Sequence, residues 1–199
     1  MCIKNPILLA TSNTHKKEEF QAMLAHTKYT IIGLDDIGYD QEIDEIHDSY
    51  KGNAMAKVEA VSLVYDGIII ADDSGFEVAA MDFQPGVYSA RFKPEFSYSQ
   101  KNQFILDTIK HETDRSCAFV CAIACLKDNM MWVTVNRAFG EVANEVVEGN
   151  GFGYDPIFVP LGYDQSFSLL DPSIKNKISH RALAIKALLD YLEETEKSV

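Results

Sequence analysis

The chain has 199 residues, 47% hydrophobic and 24% charged, the proportions of a globular protein that buries a sizeable core without disulfides. Its 18 Lys and Arg stand against 30 Asp and Glu, a formal charge of −12, which excludes the long basic surface a nucleic-acid polymer requires. No apolar run approaches the length of a membrane span, and the start MCIKNPILLATSN lacks a signal-peptide pattern. The expectation is therefore a cytoplasmic protein with no membrane partner and one domain, residues 1–199.

The predicted elements alternate at first. PILLAT (6–11) reads as a buried strand, HKKEEFQAMLAHT (15–27) as a helix that turns Phe20, Met23 and Leu24 inward, and YTIIGL (29–34) as a strand. NAMAKVEAVSLVYD (53–66) is a helix with Ala54, Val58, Val61 and Tyr65 on one face, and GIIIA (67–71) is a short buried strand that ends in acids. SYSQKNQFILDTIKHE (97–112) is a helix with a serine available as N-cap. Three strands follow, CAFVCAIACL (117–126), MMWVTVNRAF (130–139) and GEVANEVV (140–147). The last predicted element is the helix SHRALAIKALLDYLEE (179–194), with Leu183, Ala187, Leu188, Tyr191 and Leu192 inward. Alternation followed by a run of strands gives an α/β protein with a mixed sheet. Cys117, Cys121 and Cys125 recur every fourth residue on one face of a strand, without C-x-x-C spacing or a nearby histidine. They read as reduced thiols packed in the core rather than zinc ligands.

Four stretches carry residue types suited to chemistry. In ATSNTHKKEEF, short polar residues open a helix and two lysines, Lys16 and Lys17, sit in its first turn. The positive end of a helix dipole prefers acids there, so the lysines call for an anion, with a capped, solvated helix start as the plainer alternative. In IIIADDSGFEV, Asp72 and Asp73 arrive at the end of a buried strand. Adjacent carboxylates there fit a Mg²⁺ site shared with phosphate oxygens or a general base, while Asp-Ser-Gly is equally good turn chemistry. The acidic stretch 40–48 contains Asp44 and Glu45, either solvated or completing a metal site with Asp73. In GFGYDPIF (151–158), an aromatic ring and an acid sit on a glycine-rich backbone, and KNKISHRALA later supplies Lys175, His180 and Arg181. A ring to stack on a base and donors for a carbonyl oxygen suit a nucleotide pocket.

Taken together, these stretches resemble the inosine triphosphate pyrophosphatase family. The resemblance rests on S-N-x-x-K-x-x-E at Ser12, Asn13, Lys16 and Glu19, on N-A-x-x-K at Asn53, Ala54 and Lys57, and on ADDSGFEV, PGVYSARF, GFGYDPIF, PLGYDQSF and KNKISHRALA in that order. It implies a two-lobed fold around a central nucleotide-binding cleft, a homodimer, and Mg²⁺-dependent hydrolysis of ITP, dITP and XTP to the monophosphate and pyrophosphate. By position it implies that Thr11, Ser12, Asn13, Thr14, His15 and Lys16 grip the triphosphate. It makes Asp73 the general base and a metal contact, Lys16 a catalytic cation, and Glu45, Asp44 and Asp72 the further candidate metal ligands. Ser74, Phe152, Gly153, Tyr154, Asp155, Lys175, His180 and Arg181 are implied to line the substrate site. The chain departs from the family at Leu169, where a glutamate is usual, and at Ala182, where glycine is frequent. Two alternatives remain open at this level: a nucleotide pyrophosphatase of another base preference, and a nucleotide binder without catalysis.

Overall fold

The computed structural model describes residues 5–197. It is a mixed α/β structure whose order is β1 (Asn5–Leu9), α1 (Thr14–Leu24), β2 (Tyr29–Gly33), α2 (Tyr50–Ser62), β3 (Ile68–Val78), β4 (Gln84–Gly86), α3 (Tyr98–Thr108), β5 (Ser116–Lys127), β6 (Met130–Val142), β7 (Phe158–Pro160), α4 (Pro172–Ile178) and α5 (His180–Lys197). The strands form one seven-stranded sheet in the order β2-β1-β3-β5-β6-β7, with β4 paired to β3. β1 runs parallel to β2 and β3, whereas β3–β4 and β6–β7 are antiparallel. Among the described residues no helix is long and apolar enough to cross a membrane.

The chain divides into two compact units. The first comprises the described residues within Met1–Asp73, Cys121–Val135 and Ala184–Val199, the second Ser74–Val120 and Asn136–Leu183. Ile7, Leu9, Phe20, Leu24, Ile70, Ile123, Leu188 and Leu192 belong to the core of the first. Phe76, Phe119, Tyr154, Phe158 and Phe167 bring aromatic rings into the core of the second, beside Val78, Ile105 and Ile157. Cys117, Cys121 and Cys125 are buried free thiols, and burial pushes the Cys125 thiol up to about 12.

Local chemistry explains where the elements differ from expectation. α1 stops at Leu24 rather than Thr27, because the Thr27 hydroxyl folds back onto the Leu24 carbonyl at 2.8 Å. α2 begins three residues early, at Tyr50, since Ser49 caps it by accepting from the Gly52 amide. The strand expected to end at Ala71 continues to Val78, so Asp72 and Asp73 lie inside β3 rather than beyond it. Pairing of Phe76, Glu77 and Val78 with β4 supports that extension. GEVANEVV is not a separate strand: β6 runs through to Val142, and the next strand residue is Phe158. The β5–β6 hairpin closes on Asp128 and Asn129, both at positive φ (52° and 60°), the geometry of a type I′ turn. α4 is an addition; Asp171 accepts from the Ser173 amide and Pro172 occupies the first turn, a start signal present in the sequence. In α5, Leu183 is exposed and Ala184 and Ile185 are buried in its place.

Candidate active site

Within the first unit, the groups with chemical potential gather around Asp72 and Asp73. Successive strand residues point to opposite faces, and each acid finds its own partners. Asp72, fully buried, pairs with the Lys16 ammonium at 3.1 Å, and the Cys121 thiol lies 4.0 Å from the same oxygen. Asp73, 3% exposed, accepts at Oδ2 from the Asn53 side-chain amide at 3.0 Å. Asn53 in turn accepts at Oδ1 from the His47 backbone, so one buried amide ties the acidic loop to Asp73. Lys57 stands one turn further along α2. Its ammonium pairs with Glu45, donates to the Asp72 carbonyl at 3.2 Å and lies 3.8 Å from Asp73 Oδ1.

Burial raises the Asp73 carboxyl above the ordinary carboxylate range, and Lys57 and Lys16 only partly oppose this. For Lys57 burial works toward the neutral form, but the charges of Asp73, Glu45 and Asp72 outweigh it and hold the ammonium above its usual value. Asn53 and Lys57 belong to the N-A-x-x-K pattern, yet sequence reading assigned them no role. A usable signal was present: four residues apart, they occupy the face of α2 that also buries Ala54, Val58 and Val61.

The helix start is capped as its sequence suggests. Asn13 accepts from the Lys16 amide, Thr11 accepts from the Asn13 amide, and the first turn of α1 contains no acid. Ser12, Asn13, Thr14 and His15 are exposed. The two lysines part ways here: Lys17 pairs with Asp35 at 2.8 Å and Asp36 at 3.6 Å, whereas Lys16 turns to Asp72. Of the acids considered for a metal, Glu45 and Asp73 face one ammonium, Asp72 is held by Lys16, and Asp44 is exposed. Among the described residues no group of three or more His, Cys, Asp or Glu side chains is placed to hold a metal ion; Glu45 and Asp73, which converge on the Lys57 ammonium, are the carboxylates that would meet a hard divalent cation.

The second unit holds the other set. Gly151 and Gly153 adopt φ of 98° and 66°, and the turn between them folds Asp155 back so that its Oδ2 accepts from the Phe152 amide at 2.9 Å. A Cβ at Gly151 would lie 2.5 Å from that oxygen. The same oxygen accepts from Lys175 of α4 at 2.7 Å, and the ammonium stands 4.9 Å from the centre of the Phe152 ring. Phe152 is partly exposed. Tyr154 is turned inward, stacked on Phe76 at 5.2 Å, with its hydroxyl donating to the Ser89 carbonyl. The His180 ring lies flat on Phe119 at 4.7 Å, and the buried Arg181 donates to the Ser74 hydroxyl at 3.0 Å.

A model described as the Ham1 family matches residues 7–191. The dITP/XTP pyrophosphatase of Porphyromonas gingivalis is 38% identical, over 94% of this chain and 96% of that protein. The dITP/XTP pyrophosphatase of Bacillus subtilis is 37% identical, over 97% and 100%. Among solved structures, the Ham1 protein of Staphylococcus aureus superposes with a TM-score of 0.85 at 34% identity, covering 96% of this chain and 99% of that one. A Ham1 protein from Coxiella burnetii gives 0.86 at 31% identity, over 96% and 99%.

Proposed function

The chain belongs to the Ham1 family, and on that premise we propose that it hydrolyses non-standard purine nucleoside triphosphates, ITP, dITP and XTP, to the monophosphate and pyrophosphate, clearing deaminated purines from the nucleotide pool. Support comes from relatives that are dITP/XTP pyrophosphatases along nearly their whole length. The observation that carries the reading is the buried Asp73, oriented by Asn53 and flanked by Lys57, in a chain whose Lys16 stands at a helix start.

In this reading water attacks the α-phosphorus, its proton passes to Asp73, the α–β bridging P–O bond breaks and pyrophosphate leaves. Asn53 occupies one carboxylate oxygen and so fixes the direction of the other. Burial makes Asp73 a stronger base than a solvated carboxylate. Lys16 and the amides at the start of α1 hold the phosphate oxygens on which charge develops. Mg²⁺, held by Glu45 and Asp73 with Asp72 beside them, would neutralise the phosphates. Phe152 stacks on the purine, and Lys175, His180 and Arg181 provide the donors that favour a 6-oxo group over the 6-amino group of adenine. The reading extends to a cytoplasmic homodimer that acts on free nucleotides, the last point supported by the formal charge of −12.

Pyrophosphate release with Mg²⁺, measured side by side for ITP, XTP, GTP, ATP and dUTP, tests the reading. Strong release from ITP and XTP with weak release from GTP and ATP is the expected result; no release from either would overturn it. The loop makes its own prediction. Gly151→Ala places a methyl group against the Asp155 carboxylate at a φ of 98°, so the acid must leave Phe152 and Lys175. A KM for ITP raised roughly tenfold, the worth of about one buried hydrogen bond, is expected from steady-state kinetics.

A further inference from the structure

We infer that Asn102 of α3 is a positioning residue for base recognition, acting by fixing the Gly153 carbonyl and through it the pose of Phe152 and Asp155. The inference rests on the reading of the 151–155 loop as the part that meets the base.

Asn102 is 1% exposed and shares the buried face of α3 with Ile105 and Leu106. Its side-chain amide donates to the Gly153 carbonyl at 3.1 Å, across 51 residues of sequence. Its Oδ1 is buried and has no hydrogen-bond partner among the described residues. A buried amide satisfied at one end is costlier than an aliphatic side chain of the same size, so packing gives no reason for asparagine here. The donation to Gly153 does. That carbonyl lies between Phe152 and Asp155, on a residue at φ 66°, where a glycine backbone would otherwise sample several conformations.

The surroundings of Asn102 act in the same direction. Lys101, also buried, donates to the Ala90 carbonyl at 3.0 Å, and the Tyr98 ring meets Tyr154 edge-on at 5.4 Å. The Tyr154 hydroxyl reaches the Ser89 carbonyl. The first turns of α3 thus hold two loops, with Asn102 on the peptide that joins the stacking ring to the acid. Without that bond the loop is ordered only when nucleotide binds, and the ordering cost moves into the Michaelis constant.

Asn102→Leu, which keeps volume and removes the amide, and Asn102→Ala are compared with Phe152→Ala in steady-state ITP hydrolysis, alongside melting temperature and amide hydrogen exchange of residues 151–155; whichever Asn102 variant folds decides. The expected result is a KM raised roughly tenfold, about the worth of one buried hydrogen bond, with kcat nearly unchanged and faster exchange confined to the loop. A lower melting temperature with unchanged KM and exchange, while Phe152→Ala still raises KM, would overturn the positioning role and leave the base-loop reading standing. Unchanged KM in all variants, Phe152→Ala included, would overturn both.

Discussion

Asp73→Asn should lower kcat for pyrophosphate release by roughly 10²–10⁴-fold, the contribution of a positioned general base, while nucleotide still binds. The substitution keeps shape and preserves the acceptor for Asn53, so the loss belongs to proton transfer and charge rather than to folding. Stability should move the other way. Burial raises the Asp73 carboxyl in the folded state, so the folded protein holds this proton to higher pH than the unfolded chain does. The folded state therefore binds more protons between the two values, and stability falls as pH rises through that window. Above that window the wild-type carries the full cost of an ionised buried acid, and Asp73→Asn does not. Thermal melts in chelator should show the variant at least as stable as wild-type at pH 7, the difference closing as pH falls below the ordinary carboxylate range. A variant that loses activity and melts well below wild-type at pH 7 would assign Asp73 a structural role instead.

Lys57→Met is the second large effect. Lys57 is 7% exposed and faces Glu45, Asp73 and the Asp72 carbonyl. Removing one partner of a buried ion pair leaves uncompensated charge at a cost of about 3–5 kcal/mol. In a chain of this size that corresponds to a melting temperature lower by roughly 10 °C. Because neighbouring acids raise Lys57 above its usual value, its contribution is fully present below the unfolded-state value and is lost only as pH rises through the folded-state one. The deficit of Lys57→Met should thus persist through neutral pH and shrink in acid, as Asp73 takes up its proton. Added Mg²⁺ should stabilise the variant more than wild-type, since a divalent cation meets the same oxygens. A loss below about 1 kcal/mol, the range of exposed pairs, would show that the carboxylates are balanced by other groups.

Much of this was legible in the chain. Hydrophobic periodicity located α1, α2, α3 and α5 and most of the sheet, because burial of one face is what those patterns encode. The carboxylates of β3 misled it. Two adjacent acids after three isoleucines read as a strand end, since the ammonium groups that face them belong to residues far off in sequence, Lys57 for Asp73 and Lys16 for Asp72. No local pattern reports such partners. Lys17 shows the converse: its compensating acids, Asp35 and Asp36, lie beyond β2, so the two helix-start lysines looked equivalent and are not. Phe152, Tyr154 and Asp155 were all singled out from sequence, and of these Tyr154 is a core residue stacked on Phe76. A glycine-flanked loop gives no periodicity from which to tell a ring that faces inward from one that does not.

The charges gathered near Asp73 do not cancel. Glu45, Asp72 and Asp73 carry three negative charges and Lys16 and Lys57 two positive ones, so with all five ionised the cluster is negative by one. A divalent cation that met these oxygens would reverse that sign, so in the proposed site a triphosphate would be met less unfavourably with its cation than without it.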